Sequence, residues 1–216
     1  MCKLKSGIIL KDRIYLGELD SHEEMLEELE IEDTKENAAH LFIRAELYPR
    51  DGNVFSDVDT WVFRVDQDIL PDWYVEEYDK KRFIEAVKAW QKAHVFIDRD
   101  ELDLKCKGRA RYYIKDCANA TVVAYGSATV KAYGSAAVKA YGSAAVDAHD
   151  RATVEAHDRA TVVAWSGATI LIPKHSSNKA DNIILLENST LKDCKTKTIY
   201  QSGDWQLVLL PEVQSK

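Results

Sequence analysis

The sequence predicts an α+β N-terminal lobe followed by a mainly-β domain, a flattened two-sheet parallel β-solenoid built of octapeptide repeats with two octads per coil. Three observations lead to this fold class. Residues 120–171 repeat with a period of eight and without insertions. Within each octad, small apolar residues alternate with other residues over five positions, which is a strand pattern. Residues 1–103 are irregular in sequence and contain both helical and strand patterns.

Each octad begins with the strand pattern and ends with turn residues. Positions 1, 3 and 5 are almost always Ala, Val and Ala, and positions 6–8 read Tyr-Gly-Ser, His-Asp-Arg or Trp-Ser-Gly. A five-residue strand spans about 17 Å and cannot bury its own face, so neighbouring octads must stack. We therefore expect positions 1, 3 and 5 to form a thin core and position 4 to be exposed.

The variable fourth position indicates how many octads complete one coil. With two octads per coil, Lys139 lies over Glu155 and Lys131 lies over Asp147, at the strand spacing of about 4.8 Å. With three, Lys139 would instead lie over Val163. Because opposite charges then pair in both sheets, the two-octad coil fits better.

The sixth position forms two ladders of rings in a two-octad coil. Stacking of these rings over the turns is the favoured interpretation, and an aromatic binding edge is the alternative. The ladders are Tyr125, Tyr141 and His157 on one edge, and Tyr133, His149 and Trp165 on the other.

The net charge of −7 is unevenly distributed along the 216 residues. Residues 1–103 hold 14 Lys and Arg against 26 Asp and Glu, whereas residues 104–119 hold five basic residues against one acidic residue. There is no signal-peptide pattern and no apolar run of about 20 residues, so we expect a cytoplasmic protein. The four cysteines are scattered and are expected to be reduced thiols without a zinc site.

The acidic lobe, residues 1–103, is predicted to be α+β. Phe83, Val87, Trp90 and His94 fall on one helical stripe, which is expected to pack in the core with Trp90. The predicted elements are a hairpin of residues 8–10 and 14–16, a helix after the capping box at 21–24, strands at 41–47 and 61–65, and a helix from near residue 79 to residue 94.

The candidate binding residues lie in the acidic lobe and in a basic stretch that follows it. Loops on a rigid scaffold often bind partners, which favours Asp51, Asp57, Asp59, Asp68 and Trp73. Lys105, Lys107, Arg109 and Arg111 alternate with other residues and predict a strand with one basic face. This face could follow phosphates, but the favoured interpretation is a solvated face near the acidic lobe, because the total field is acidic. Direct nucleic-acid binding is therefore not expected.

No pattern in the sequence predicts catalysis. Walker, GxGxxG, HExxH and nucleophile-elbow motifs are absent, and His22, His40 and His94 have no motif partner. The acids from Asp51 to Asp59 lack the order of an EF-hand. We therefore expect no catalytic residues, cofactor or metal.

The C-terminal segment is expected to cap the solenoid, because an open rung exposes its backbone. Residues 174–182 are polar and loop-like, and strands are predicted at 183–186 and 204–210. Lys192-Asp193-Cys194 echoes Lys115-Asp116-Cys117, which suggests degenerate rungs on both sides of the repeat.

The octad A-T-V-x-A-Y-G-S resembles repeats in uncharacterised octapeptide-repeat proteins of bacteriophages and prophages of gut bacteria. The stretches 46–52, 69–74 and 192–194 also look like theirs, so the resemblance covers most of the chain. It implies no activity or catalytic residues. The expected function is a non-enzymatic protein, located in the bacterial host cytoplasm, that binds and inhibits a host macromolecule such as a nucleic-acid-targeting defence protein. The alternatives are a structural protein that forms homo-oligomers through the solenoid, and an enzyme of unrecognised type.

Overall fold

The structure is a computed structural model that describes residues 4–99, 102–117, 121–202 and 208–209. It divides into two compact units, Met1–Val95 and Phe96–Lys216. The sequence pattern places this boundary later, after residue 103. The difference arises because a short strand before the recognisable repeat already belongs to a solenoid sheet.

The first unit is α+β, with helices and one antiparallel sheet of strand order β2-β1-β3-β4. A short 3-10 helix covers Val58–Thr60. The elements in chain order are β1 (Lys5–Leu10), β2 (Ile14–Tyr15), α1 (His22–Glu28), α2 (Lys35–His40), β3 (Phe42–Tyr48), β4 (Val62–Val65) and α3 (Glu76–His94).

The predicted hairpin and the first helix are confirmed. Ile9 pairs with Ile14 across β1 and β2, and the Leu10 amide donates to the Arg13 carbonyl at 2.8 Å. The Ser21 hydroxyl caps α1 by accepting a hydrogen bond from the Glu24 amide. One small core joins α1 to the sheet, and its fully buried members include Ile8, Met25, Leu26 and Phe42.

Two helices differ from the sequence prediction. The last one, α3, begins at Glu76, three residues before the predicted start. Phe83 and Val87 are buried as expected, but Trp90 is only half-buried. Helix α2 was not predicted, because its six residues are too few to show a periodic apolar stripe.

The second unit is a parallel β-solenoid with two sheets. The eight-stranded sheet has the order β18-β17-β16-β14-β12-β10-β8-β6, and the six-stranded sheet has the order β15-β13-β11-β9-β7-β5. The strands are β5 (Val95–Ile97), β6 (Asp103–Cys106), β7 (Arg111–Lys115), β8 (Thr121–Ala124), β9 (Thr129–Tyr133), β10 (Ala137–Ala140), β11 (Ala145–Ala148), β12 (Thr153–Ala156), β13 (Thr161–Ala164), β14 (Thr169–Ile172), β15 (Ile183–Leu185), β16 (Thr190–Asp193), β17 (Thr198–Gln201) and β18 (Val208–Leu209).

The register confirms two octads per coil. Lys139 pairs with Glu155 in the eight-stranded sheet, and Asp147 pairs with Lys131 in the six-stranded sheet. Each partner is sixteen residues away, so consecutive octads alternate between the sheets. In the described octads, Ala and Val at positions 1, 3 and 5 are buried in one continuous core, as predicted.

The expected exposure of position 4 is only partly correct. Lys139 is exposed, but most other residues at this position are half-buried and Val123 retains only 8% of its surface. The side chains point outward as predicted. They lose surface because neighbouring rungs at the strand spacing of about 4.8 Å cover their flanks.

The backbone conformation at the seventh octad position explains why most of the turns carry Gly or Asp there. Its residues have positive φ, with values of 66° at Gly142, 58° at Asp150 and 51° at Asp158. Gly adopts this region without strain, and Asp is among the few other residues that tolerate it. The aspartates also bind the preceding coil, since Asp158 Oδ2 accepts a hydrogen bond from the Gly142 amide at 2.9 Å.

The C-terminal end of the eight-stranded sheet changes from parallel to antiparallel pairing. Strand β16 continues the parallel stack beside β14, which fits the predicted degenerate rung, and β17 then pairs with it in the antiparallel sense. Of the predicted strand at 204–210, the described part is β18, and the remaining residues lie outside the described ranges. Buried Asn178 anchors the polar loop before β15. Its side-chain nitrogen donates hydrogen bonds to the backbone carbonyls of His157 and Ala160.

Candidate functional site

Among the residues that the structure describes, exposed acids are densest on α1, α2 and the loop between them. The apolar face of α1 buries Met25 and Leu26, which directs its glutamates to solvent. The following loop turns through Glu30 (φ 55°), and Thr34 caps α2 by accepting from the Asn37 amide. Within residues 23–36, here called the acidic segment, seven acids are exposed: Glu23, Glu27, Glu28, Glu30, Glu32, Asp33 and Glu36.

The acids at the end of α1 do not serve the helix. Negative charge stabilises the first turn of a helix and destabilises the last turn, by about 0.3–1 kcal/mol per charge. Glu27 and Glu28 occupy the last turn of α1, which contains no basic residue. The helix dipole therefore gives these two acids no stabilising role in α1.

Two neighbouring side chains, those of Tyr15 and Arg44, interact with acids of this segment. The Tyr15 hydroxyl donates a 2.6 Å hydrogen bond to Glu28. This bond, followed by burial and the charges of Glu28 and Glu18, raises the pKa of Tyr15 above its ordinary value. Asp33 forms an ion pair with Arg44 of β3. The sequence shows the acidity of this stretch, but its glutamates were interpreted there as an ordinary solvated helix face.

The predicted loop acids are exposed, and each also has a local structural partner. Asp51 accepts from the Asn53 amide at 2.9 Å, and Asp57 accepts from the Asp59 amide at 3.0 Å. Asp59 lies 2.8 Å from the Lys88 ammonium. Its hydrogen bond to Lys88, followed by that of Glu85, raises the lysine pKa. These acids therefore shape and fasten their loop, and they remain accessible.

Asp68 lies beside the acidic segment. It lines an open cavity of about 290 Å³ together with Asp33, Lys35 and Arg44. Gln67 fixes this wall, because its side-chain oxygen accepts from the Arg44 amide at 2.8 Å. The structure thus brings one sequence-predicted acid together with an acid of the segment.

Trp73 is fixed in place from within the same unit. Its indole nitrogen donates to the His40 carbonyl at 2.7 Å, and its ring is half-buried. The bond links the loop before α3 to the last residue of α2. This anchoring gives Trp73 a structural role that the sequence did not reveal.

The predicted basic strand is wrong. The chain turns at Gly108, which has a φ of 75°, so Lys105 lies on β6 and Arg111 on β7. These strands belong to different sheets, and Lys107 and Arg109 lie at the turn between them. The alternating pattern misled the prediction because a degenerate octad, with Gly108 at its seventh position, already spans this stretch. The four basic residues therefore do not form one linear face.

The ring ladders of the solenoid are stacked, as the favoured interpretation expected. Ring centroids are 5.6 Å apart for Tyr125 and Tyr141 and 4.3 Å apart for Tyr141 and His157. On the other edge, His149 stacks between Tyr133 at 4.8 Å and Trp165 at 5.8 Å. The inner faces of these rings are occupied by their neighbours, which leaves only edges and terminal faces for a ligand.

Carboxylates at position 4 hold the rings in place. The Trp165 indole donates to Asp147 at 2.9 Å, and a His149 nitrogen lies 3.1 Å from the same carboxylate oxygen. On the other edge, a His157 nitrogen lies 3.1 Å from Glu155. These contacts account for the ladders as structural elements of the solenoid.

Two buried thiols fill core positions of the solenoid. Cys106 and Cys117 are fully buried and unpaired by disulfides, and Cys194 is also a free thiol. Burial raises the pKa of Cys106 to about 12 and also raises that of Cys117. Burial therefore favours the protonated, less reactive form of both thiols.

One group of potential metal ligands escaped the sequence analysis. Atoms of His22, Glu46 and Asp66 lie within 4.8 Å of one another, and the first two side chains are buried. Their spacing in the sequence matches no motif. Only the register of the sheet beneath α1 brings them together, and no local pattern could have revealed that.

Comparisons of the chain with protein-family models, curated proteins and solved structures gave no match. Among the residues that the structure describes, none of the helices combines the length and apolarity required to cross a membrane.

Proposed function

We propose that this chain is a non-enzymatic binding protein, encoded by a phage or prophage, whose acidic N-terminal unit binds and inhibits a basic host protein. The acidic segment carries the proposal. Seven exposed acids lie within 14 residues, and the only basic residue among them is Lys35. Clustered charge of one sign steers a partner of opposite charge and suppresses wrong partners.

The chemistry of the partner follows from this surface. Proteins that bind nucleic acid carry clustered Lys and Arg to neutralise phosphates. A dense row of carboxylates can occupy such a basic surface and exclude the nucleic acid. A nucleic-acid-targeting defence protein of the bacterial host therefore fits the segment, and the resemblance of the octads to phage repeats supports this setting. The regular solenoid then acts as a spacer or an assembly element.

The test is capture of a partner from bacterial lysate by the tagged full chain, followed by mass spectrometry. Reversal of Glu23, Glu27, Glu30 and Glu32 to Lys should abolish capture. Binding by the wild type should also weaken as salt rises, since exposed charges are screened over about 8–10 Å. Failure of the wild type to enrich any partner would count against the proposal.

Two control variants locate the site. Reversal of Asp51, Asp57, Asp59 and Asp68 changes the net charge by the same amount and should weaken binding less. Exchange of both solenoid pairs, Lys131 with Asp147 and Lys139 with Glu155, leaves the net charge unchanged and should preserve binding. If the exchange abolishes capture and the first reversal does not, the solenoid is the binding site.

Self-association through the solenoid is a second candidate function, favoured by the end of the six-stranded sheet. Within the described residues, that sheet ends on β15, and its Ile184 is 55% exposed. An edge strand offers backbone groups to another chain. Light scattering after size-exclusion chromatography should show an oligomer that Ile184→Lys converts to monomer. A wild type that is monomeric at every concentration removes this candidate.

A further inference from the structure

Three side chains from separate elements of the first unit meet beneath the start of α1. His22 is the first residue of α1, Glu46 lies in β3, and Asp66 directly follows β4. The Asp66 amide donates to the Arg44 carbonyl at 2.8 Å, which extends the β3–β4 pairing to this point. The helix N-terminus and the sheet together therefore fix the three positions.

The histidine ring is oriented by a backbone contact outside the group. His22 Nε2 lies 3.1 Å from the Ala45 carbonyl oxygen, which can only accept a hydrogen bond. Nε2 therefore carries the proton, and in the neutral ring Nδ1 presents its lone pair. This lone pair lies on the side of Asp66, with Nδ1 3.8 Å from Oδ2. Histidines that bind metals are commonly held by such a bond from their other nitrogen.

The burial and charge of the group fit a cation. His22 retains 5% and Glu46 2% of their surface, whereas the Asp66 side chain is 39% exposed. Arg64 lies 3.4 Å from Asp66 Oδ1, which leaves Oδ2 directed toward His22. The exposed Asp66 provides the route of entry.

We infer that His22, Glu46 and Asp66 bind a divalent transition-metal ion, with Zn²⁺ as the preferred occupant. One imidazole and two carboxylates suit zinc, which takes nitrogen and oxygen ligands at about 2.0–2.2 Å. Mg²⁺ and Ca²⁺ favour sites made of oxygen alone. The three ligand atoms lie within 4.8 Å of one another, so a bound ion requires them to move closer together.

The ion joins the N-terminus of α1 to β3 and β4. Because α1 carries much of the acidic segment, metal binding stabilises the element that presents those acids. The inference does not depend on the proposed partner, since it rests on the three side chains alone. Three protein ligands also leave a coordination position for water at the exposed side.

The test is titration of the full metal-free chain with Zn²⁺ by isothermal calorimetry, with metal content measured after dialysis. One equivalent should bind, and at 100-fold excess over Kd the Tm of the first unit should rise by about 10 °C. Co²⁺ should bind at the same stoichiometry and give visible absorption bands. Mg²⁺ and Ca²⁺ should not compete at equal concentration.

Two variants distinguish this site from adventitious binding. Asp66→Asn changes an exposed side chain and should abolish the Zn²⁺ equivalent while circular dichroism stays unchanged. Asp68→Asn, two residues away and outside the group, should bind as the wild type does. The inference is overturned if the wild type binds no zinc, or if Asp66→Asn retains it. Zinc that is lost only in His149→Ala or His157→Ala would place the binding on the solenoid and overturn the inference as well.

Discussion

The Lys139 ammonium lies 3.2 Å from the Glu155 carboxylate, and the two residues are directly paired in adjacent parallel strands. They occupy the same octad position one coil apart. Lys131 and Asp147 repeat this relationship in the other sheet at 3.5 Å. Charge pairs between equivalent positions therefore fasten successive coils on both faces of the solenoid.

Reversing one charge of the Lys139–Glu155 pair should lower the free energy of unfolding only slightly. Reversing both charges should restore part of that loss. Lys139 is 54% exposed, so Lys139→Glu should lower the free energy of unfolding by only about 0.5 kcal/mol. Adding Glu155→Lys should recover some of it, although the contact of Glu155 with His157 is lost. Urea unfolding of both single variants and the double variant measures the coupling. Additive effects would mean that the pair contributes nothing.

A charge in the solenoid core should be strongly destabilising. Val146 is only 3% exposed and lies among Ala and Val side chains, so Val146→Asp buries a carboxylate without a partner. The expected loss is about 3 kcal/mol or more. Thr161→Asp, at an exposed position of the adjacent strand, is the control and should melt near the wild type. Equal melting temperatures for the two variants would contradict the inward placement of Val146.

The thermal stability of variants at the seventh octad position should depend on how easily each residue adopts a positive φ. Asp158 has a φ of 51° and accepts from the Gly142 amide. Asp158→Gly loses the hydrogen bond but tolerates the backbone, whereas Asp158→Ala also incurs about 1 kcal/mol of left-handed strain. Thermal melting should therefore fall in the order wild type, Gly variant, Ala variant. An alanine variant that is as stable as the glycine variant would exclude strain as the cause.

His94 should make the first unit less stable in mild acid. Burial, together with the nearby Lys5 charge, lowers the pKa of His94 below its ordinary value, although its bond to the Trp90 carbonyl opposes the shift. The unfolded chain then binds a proton at about pH 6.5 that the folded chain does not, so stability falls as pH drops from about 6.5 toward the lowered pKa and levels off below it.

His94→Gln removes this effect and should flatten the pH dependence of the free energy of unfolding between about pH 7 and 5. His40→Gln, at an exposed histidine, is the matched control and should keep the slope of the wild type. Urea unfolding followed by circular dichroism at each pH gives both slopes. A His94→Gln slope equal to that of the wild type would assign the acid sensitivity to other groups.

The core thiols should resist chemical modification until the solenoid unfolds. Cys106 has its pKa raised to about 12 by burial, so almost no thiolate exists near pH 8. In a Cys2→Ser, Cys194→Ser background, an aromatic disulfide reagent should label neither remaining cysteine in the native chain and both in denaturant. Rapid native labelling would show that the core opens locally near these residues.

The repeat made the solenoid predictable in detail, whereas the first unit was predictable only in outline. The coil length can be read from the fourth octad position, because residues one coil apart in the sequence become direct neighbours in a stack of parallel strands. The residues that show it are Lys131, Lys139, Asp147 and Glu155. The capping box at Ser21 and the apolar run of β1 are similarly local signals.

The features that escaped prediction depend on contacts between distant residues or on ambiguous patterns. Glu46 meets His22 only because β3 pairs within the sheet that α1 covers. Lys105 and Arg111 alternate as on one strand, and the positive φ of Gly108 that separates them is not visible in that alternation. The role proposed for Glu27 and Glu28 depends on where α1 ends, and helix ends are the least certain feature of a sequence-based prediction.

The alternation of octads between two sheets restricts how the gene can change in length. Loss of one octad keeps every core position filled, but it transfers all following strands to the opposite sheet and separates residues such as Lys139 and Glu155 from their partners. Loss or duplication of two octads restores each strand to its own sheet and preserves the pairing. We therefore expect changes in the length of the repeat to be tolerated in steps of sixteen residues, the length of one coil, and natural length variants of this chain should differ by multiples of that step.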